Sequence, residues 1–136
     1  MAYPPGLHLT SGDRGTVSVA RLSRSGAYLM YLNATPRQGT ENLRNWPTFR
    51  VSHLLDDDAA SARLLASRRD VRFAGGTGSC VEDAYVTKVK ANHFTEIACF
   101  VQGRTHSSVI VAAAPTSSFA SVSAVLARSI SAYQVR

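Results

Sequence analysis

The segment GGTGSCVEDAYVTKVKANHFTEIACFVQGRTHSSVIVAAAP, residues 75–115, decides the fold of this chain. It contains three runs that are rich in β-branched and aromatic residues, which is typical of β-strands. The predicted strands span residues 79–88, 94–102 and 106–114. Because only short segments separate them, the three strands are predicted to form an antiparallel meander. The third strand carries the apolar run VIVAAA, which indicates a central strand covered on both faces. The glycines within 75–78 permit a sharp bend before the first strand.

The only two cysteines lie on the first two of these strands. If the turn between the strands is centred near Val89 and Lys90, residues whose numbers sum to 179 face each other, and Cys80 lies opposite Cys99. Opposed strand residues have Cβ atoms about 4.5–5.5 Å apart, and a disulfide needs about 3.5–4.5 Å. We therefore predict a disulfide. Two buried free thiols are the main alternative, and a redox or nucleophilic cysteine is disfavoured because no CxxC motif is present.

Before the meander the chain is predicted to begin with a loop-like lead and a hairpin. The lead covers residues 1–15, with at most a short strand near 7–9. Alternating side chains over 16–34 predict the hairpin, whose second strand covers 27–34. A short strand is also predicted at 71–74.

Helices are predicted in three places. One begins with Thr40 as N-cap and buries residues as far as Leu54, but Pro47 should kink it or restart it. A second covers 59–67 and buries leucines at 64 and 65. The clearest helix covers 117–133, where apolar residues recur at spacings of three and four. The members of this stripe are Phe119, Val122, Leu126, Ile130 and Tyr133.

The resulting order, β-β-α-α-β-β-β-β-α, predicts an α+β fold in which helices cover an antiparallel sheet. A length of 136 residues fits a single domain, which we place at residues 16–136.

The charge is strongly positive, and arginine supplies nearly all of it. The chain has a net charge of +6 and 13 arginines against 2 lysines. A GC-rich codon bias accounts for such an excess without any function, whereas an anionic partner is the functional interpretation. Arginines interleaved with aromatic residues would indicate nucleic-acid binding, but the aromatic residues of the strands alternate as core residues do. Nucleic acid is therefore disfavoured as a partner.

The sequence has no signal peptide and no run of the roughly 18 apolar residues that span a bilayer. A disulfide nevertheless favours a location outside the reducing cytosol. We expect an extracytoplasmic protein, secreted or membrane-tethered, if the chain is part of a longer one, and a cytoplasmic protein otherwise.

Motifs for catalysis, metal or cofactor are absent from the sequence. The histidines have no metal-ligand spacing, and the glycine-rich segment lacks the lysine and the helix of a phosphate loop. We predict no cofactor and no metal. Asp83 and Glu96 also sum to 179 and so face each other, which arginine partners or an exposed face explain more simply than a glycosidase acid pair. A small hydrolase using Ser79 or Cys80 is one alternative function.

The segment 37–53 is the predicted binding surface, because the chain around Pro47 exposes backbone groups beside mixed polar side chains. Arginines there supply donors suited to a carboxylate or a phosphate. The only tryptophan lies in the same segment, although burial against the sheet is its simpler explanation. The candidate ligand-binding residues are Arg37, Arg44, Trp46, Arg50 and His53.

Three stretches carry a resemblance: YLNATPRQGTENLRNWPTFRVSH, FAGGTGSCVEDAYVTKV and FTEIACFVQGR. Together they resemble small secreted or membrane-tethered domains of actinobacteria, among them lipoproteins of the LpqN kind, with a PsbP-like α/β/α sandwich fold. The resemblance covers roughly residues 27–133. It implies a sheet between helices, an extracytoplasmic location and a non-enzymatic binding role, and it carries over no site residues.

The leading hypothesis is a non-catalytic extracytoplasmic binding or interaction domain, whose partner is a protein or a small anionic ligand. A cytoplasmic arginine-rich domain that binds an acidic partner or nucleic acid is the second alternative, besides the hydrolase.

Overall fold

The computed structural model describes residues 7–10, 17–25, 28–37 and 39–135. Within them the chain forms one α+β domain with an antiparallel sheet and two helices. The strands are β1 (His8–Thr10), β2 (Val17–Leu22), β3 (Tyr28–Pro36), β4 (Ala59–Phe73), β5 (Gly76–Thr87), β6 (His93–Gly103) and β7 (Ser107–Pro115), and the helices are α1 (Trp46–Asp56) and α2 (Thr116–Ser131).

The described strands form a single sheet in the order β1-β2-β3-β7-β6-β5-β4. The predicted meander is confirmed as β5, β6 and β7, and the predicted hairpin as β2 and β3. Strand β7 lies in the centre and joins the two parts by pairing with β3 on one side and β6 on the other. The short strand predicted near residues 7–9 is β1, whereas most of the predicted lead lies outside the described residues.

The register of β5 and β6 is the predicted one, and the two cysteines are bonded. Cys80 faces Cys99, their Cα atoms are 4.1 Å apart, and the sulfur atoms form a disulfide. The alternative of two free thiols is therefore wrong for this structure.

Each face of the sheet is covered by one helix, which matches the layered arrangement implied by the resemblance. Helix α2 packs on the face that carries the disulfide, and Leu126 at its centre is fully buried. Helix α1 packs on the opposite face, over β4, β5 and β6, with Trp46 buried at its start. The larger core, on the α2 side, includes Val19, Leu32, Cys99, Val101, Ile110, Ala112, Phe119, Leu126 and Ile130.

The helix predicted at 59–67 is wrong, because these residues belong to the long edge strand β4. Local helix propensity in ASARLLAS is outweighed by pairing with β5 along the whole strand. The leucines at 64 and 65, which the helix would have buried, are 44% and 46% exposed. Arg69 and Asp70 lie at an irregularity inside the strand, where Asp70 has a positive φ of 56°. The strand predicted at 71–74 is the end of β4.

The start of α1 also differs from the prediction. Thr40 is not an N-cap, since the helix begins at Trp46 and Pro47 lies in its first turn, where a proline removes no helical hydrogen bond. The preceding residues form a turn held by two amide side chains. The backbone N–H of Asn42 donates to Asn45 Oδ1 at 2.8 Å, and that of Asn45 donates to Asn42 Oδ1 at 2.8 Å. Pro47 therefore restarts the chain as a helix and does not kink one.

The glycine bend is confirmed at Gly75, which has a φ of +85°. A Cβ atom there would collide with the backbone carbonyl of Val135, which lies on the bend and donates its N–H to Ala74 O at 3.0 Å. The segment after α2 is thus fixed to the start of β5.

We expect Leu126→Ala to lower the free energy of unfolding by about 2–5 kcal/mol, because it removes buried methyl groups and leaves a cavity under α2. Denaturant unfolding followed by circular dichroism measures the change. Ser121→Ala, on the exposed side of the same helix, is the matched control and should stay within about 0.5 kcal/mol of the parent. An unchanged midpoint for the leucine variant would mean that α2 does not pack on the sheet.

The disulfide is tested by counting thiols. Denatured, unreduced protein should react with essentially no thiol reagent, and two thiols per chain should appear after reduction. Reduction should also destabilise the fold by about 3 kcal/mol, the loop-entropy value for a closed loop of this size. Two reactive thiols before reduction would contradict the pairing.

Candidate binding groove

A groove of about 460 Å³ opens on the α1 side of the sheet. Helix α1 lies over β4, β5 and β6, so the surface of β3 and β7 beside it remains open. The volume is in the range of small-molecule sites, about 300–1,000 Å³. The groove is lined by Tyr31, Asn33, Thr35, Pro36, Gly39, Glu41, Trp46, Phe49, Arg50, His53, Val109 and Val111.

One wall of the groove is a row of rings on α1. Trp46, Phe49 and His53 are spaced by three and four residues, which places them on one side of the helix. Trp46 and Phe49 stack with centroids 6.1 Å apart, and Phe49 and His53 stack at 5.9 Å. The indole is 1% exposed, and its Nε1 donates to Ala98 O at 2.9 Å, which fixes the start of the helix on β6.

Beneath this wall, a buried ion pair connects α1 to the sheet. Arg50 donates from Nε to Glu96 Oε2 at 2.6 Å and from Nη2 to Oε1 at 2.8 Å. The Glu96 side chain is fully buried and that of Arg50 is 13% exposed. Burial disfavours the charge on Arg50, but Glu96 raises the pKa of the guanidinium above its ordinary value. The guanidinium therefore stays charged, and the bidentate geometry of the pair orients α1 on the sheet.

A second carboxyl lies beside this pair. Asp83 faces Glu96 across β5 and β6 and is fully buried. No hydrogen-bond donor among the described residues reaches either of its carboxyl oxygens. Burial, together with the adjacent charge of Glu96, raises the pKa of Asp83 to about 9. Asp83 is thus neutral at pH 7, which removes the repulsion between two facing carboxylates.

Two neutral phenols meet beside the groove. The hydroxyls of Tyr31 and Tyr85 are 2.8 Å apart. Burial raises the pKa of Tyr31 well above its ordinary value and that of Tyr85 to about 12, so neither ionises near neutral pH. Of the two, Tyr31 lines the groove.

The structure brings three of the five predicted binding residues together. Trp46, Arg50 and His53 all line the groove. Arg37 does not. It is half exposed, donates from Nε to Gly39 O at 3.0 Å and lies 3.8 Å from Glu41. Arg44 lines a separate cavity.

Sequence reasoning missed the β3 side of the groove. Tyr31, Asn33 and Thr35 alternate with core residues along β3, so one face of the strand presents polar groups to the groove. This alternation is visible in the sequence YLNAT. A predicted hairpin does not show, however, that a helix leaves part of one of its faces open. Asp83 was predicted to lie opposite Glu96, and it does. Of the explanations given for this pair, the arginine partner is the one that the structure shows.

The two nucleophiles of the hydrolase hypothesis are not activated. Cys80 is in the disulfide. The Ser79 hydroxyl is buried, and no base among the described residues accepts a hydrogen bond from it. Nor does the described part of the chain contain three or more His, Cys, Asp or Glu side chains grouped to hold a metal ion.

Among the solved structures that share the fold are the following two. One is PA94 from Pseudomonas aeruginosa, a protein of unknown function suggested to be a regulator, with a TM-score of 0.67 and 8% identity over 96% of this chain and 97% of that one. The other is LpqN from Mycobacterium tuberculosis, involved in cell envelope biogenesis, with a TM-score of 0.53 and 10% identity over 96% of this chain and 78% of that one.

At these identities the likeness shows the fold alone, which is distantly LpqN-like. Neither a protein-family model nor a curated protein matches the sequence. None of the helices in the described ranges is both long enough and apolar enough to cross a bilayer.

The raised pKa of Asp83 gives a prediction for stability against pH. The unfolded carboxyl ionises near pH 3.9, whereas the folded one ionises near 9, so between these values unfolding releases a proton. The free energy of unfolding should therefore fall as the pH rises from about 5 to about 9, by at most about 1.4 kcal/mol per pH unit. Asp83→Asn keeps a donor toward Glu96 but cannot ionise, so its stability should decline less over this range.

Denaturant unfolding at several pH values between 5 and 9 measures the two slopes. Asp56→Asn, at the exposed end of α1, is the control and should retain the parent slope. If Asp83→Asn and the parent lose stability equally with rising pH, the buried proton is not on Asp83.

Proposed function

We propose that this protein is a non-catalytic extracytoplasmic binding domain whose ligand occupies the groove beside α1. The observation that carries the proposal is the convergence of a row of stacked rings on the helix with the polar face of β3 around a single open cavity. A concave surface with apolar walls and a few placed polar groups is the usual form of a small-molecule site.

The lining suits a ligand with an apolar body and an acidic end. Phe49, Val109 and Val111 offer apolar surface, whereas Arg50 offers positive charge. Arg50 uses Nε and Nη2 to hold Glu96, which leaves Nη1 for an acidic group of a ligand. The carboxylate of Glu41 also lines the groove, but it accepts from Gly39 N–H at 2.7 Å and has Arg37 nearby, so its charge is partly offset.

The proposed location rests on two observations. A disulfide between neighbouring strands persists in an oxidising compartment. LpqN, which shares the fold, is involved in cell envelope biogenesis. Secretion and a lipoprotein-like tether, as in the actinobacterial domains that the sequence resembles, belong to the same proposal.

Anilinonaphthalene sulfonate tests the groove, because it combines aromatic rings with one anionic group. The probe should bind saturably, quench Trp46, which is the only tryptophan, and emit by energy transfer from it. Thr35→Phe fills the groove from β3 and should weaken binding at least about tenfold, equivalent to roughly 1.4 kcal/mol.

Thr48→Phe adds the same ring to the exposed side of α1, away from the groove, and should bind the probe like the parent. Melting curves are used to check that both variants fold. Equal affinities for the two folded variants would place the probe elsewhere and overturn the proposed site.

A further inference from the structure

A second cavity, of about 220 Å³, lies on the α1 side and is separate from the groove. Three segments form it: the turn before α1, the irregular part of β4 near Asp70 and the first residues of β5. Its lining residues are Leu43, Arg44, Arg69, Asp70, Thr77, Gly78 and Ser79.

The cavity has an excess of positive charge. Arg44 and Arg69 both line it, and neither is within 4 Å of a carboxylate among the described residues. Among the described residues that line the cavity, Asp70 is the only acidic one, so one of the two positive charges has no counterion among them. Both arginines are exposed, so solvent screens the repulsion between them, and an anion in the cavity would be attracted by both.

The cavity also contains a hydroxyl that lacks a partner. Ser79 is 1% exposed, and its Oγ makes no hydrogen bond with any described residue. Buried polar groups in native proteins are nearly always hydrogen-bonded, and an unsatisfied one destabilises the fold. A ligand oxygen in the cavity would accept from this hydroxyl. The unpaired hydroxyl of Ser79 therefore points to an oxygen-rich ligand.

We propose that this cavity binds a tetrahedral oxyanion of the phosphate or sulfate type. Arg44 and Arg69 supply charge and paired N–H donors, the geometry that guanidinium groups offer to phosphate oxygens. The hydroxyls of Thr77 and Ser79 supply further donors from β5. The site does not depend on the groove, and either could be present without the other.

Inorganic phosphate is the probe, measured by isothermal titration calorimetry and by the melting temperature, with sodium chloride at equal ionic strength as the reference. Phosphate should bind with one site per chain and raise the melting temperature beyond the chloride value. Arg44→Ala and Arg69→Ala should each weaken binding at least fivefold. Arg72→Ala removes an exposed arginine of the same strand that does not line the cavity, and it should bind like the parent.

Ser79→Ala separates the hydroxyl from general charge effects. In phosphate-free buffer this variant should melt at or above the parent temperature, because it removes an unsatisfied polar group, and it should gain less from phosphate. The proposal is overturned if the Arg72 variant weakens binding as much as the Arg44 and Arg69 variants. It is also overturned if Ser79→Ala retains the full phosphate affinity or if chloride gives the same stabilisation.

Vesicles that contain phosphatidic acid identify the source of the phosphate group. Sedimentation of the parent protein with them, lost in Arg44→Ala, would support a lipid headgroup as the natural ligand. Binding of inorganic phosphate without sedimentation would support a free ion or a soluble phosphate ester.

Discussion

The register of the β5–β6 hairpin is the constraint on which the rest of the structure depends. It places Cys80 opposite Cys99 and, three residues along, Asp83 opposite Glu96. Because side chains alternate between the faces of a sheet, an odd separation sends the disulfide to the α2 core and the carboxyls to the α1 side. A slip of one residue would exchange the two faces, placing carboxyls in the apolar core and separating the sulfur atoms. The covalent bond and the polar network therefore favour the same register from opposite sides of the sheet.

The polar network on the α1 side explains why the helix lies where it does. A fully buried carboxylate is unfavourable without a partner, and Arg50 is the cation that reaches Glu96. Trp46 makes a second fixed contact one turn earlier, through its hydrogen bond to Ala98 O. Because Trp46 and Arg50 both hold the first turns of α1 on β6, the helix is kept away from β3. The position of the charges thus determines where α1 lies, and this leaves one face of β3 and β7 uncovered. The groove is formed over that uncovered face.

How much of this could be predicted depended on whether the deciding interactions were local. The meander, its register and the disulfide could be predicted, since alternation and a short turn determine them within a few residues. The edge strand β4 could not, because its residues favour a helix in isolation and become a strand only by pairing with β5. The candidate site was predicted in part: Trp46, Arg50 and His53 were recognised from the chemistry around Pro47. Tyr31, Asn33 and Thr35 were missed because they join the groove through pairing of β3 with β7, far apart in the chain.

That same pairing has a consequence for how the molecule assembles. Tyr31 lies opposite Ala113, and among the described strands the N-terminal hairpin meets the rest of the sheet through the last strand alone. Strands β4 to β7 follow one another by short connections, so their pairing and the disulfide join residues that are near each other in the sequence. The pairing of β3 with β7 instead closes a long loop, so it has the largest loop-closure entropy cost of the pairings between neighbouring strands. The central strand of the sheet is therefore the seam between two parts that are each built from local contacts and are joined by residues distant in the sequence.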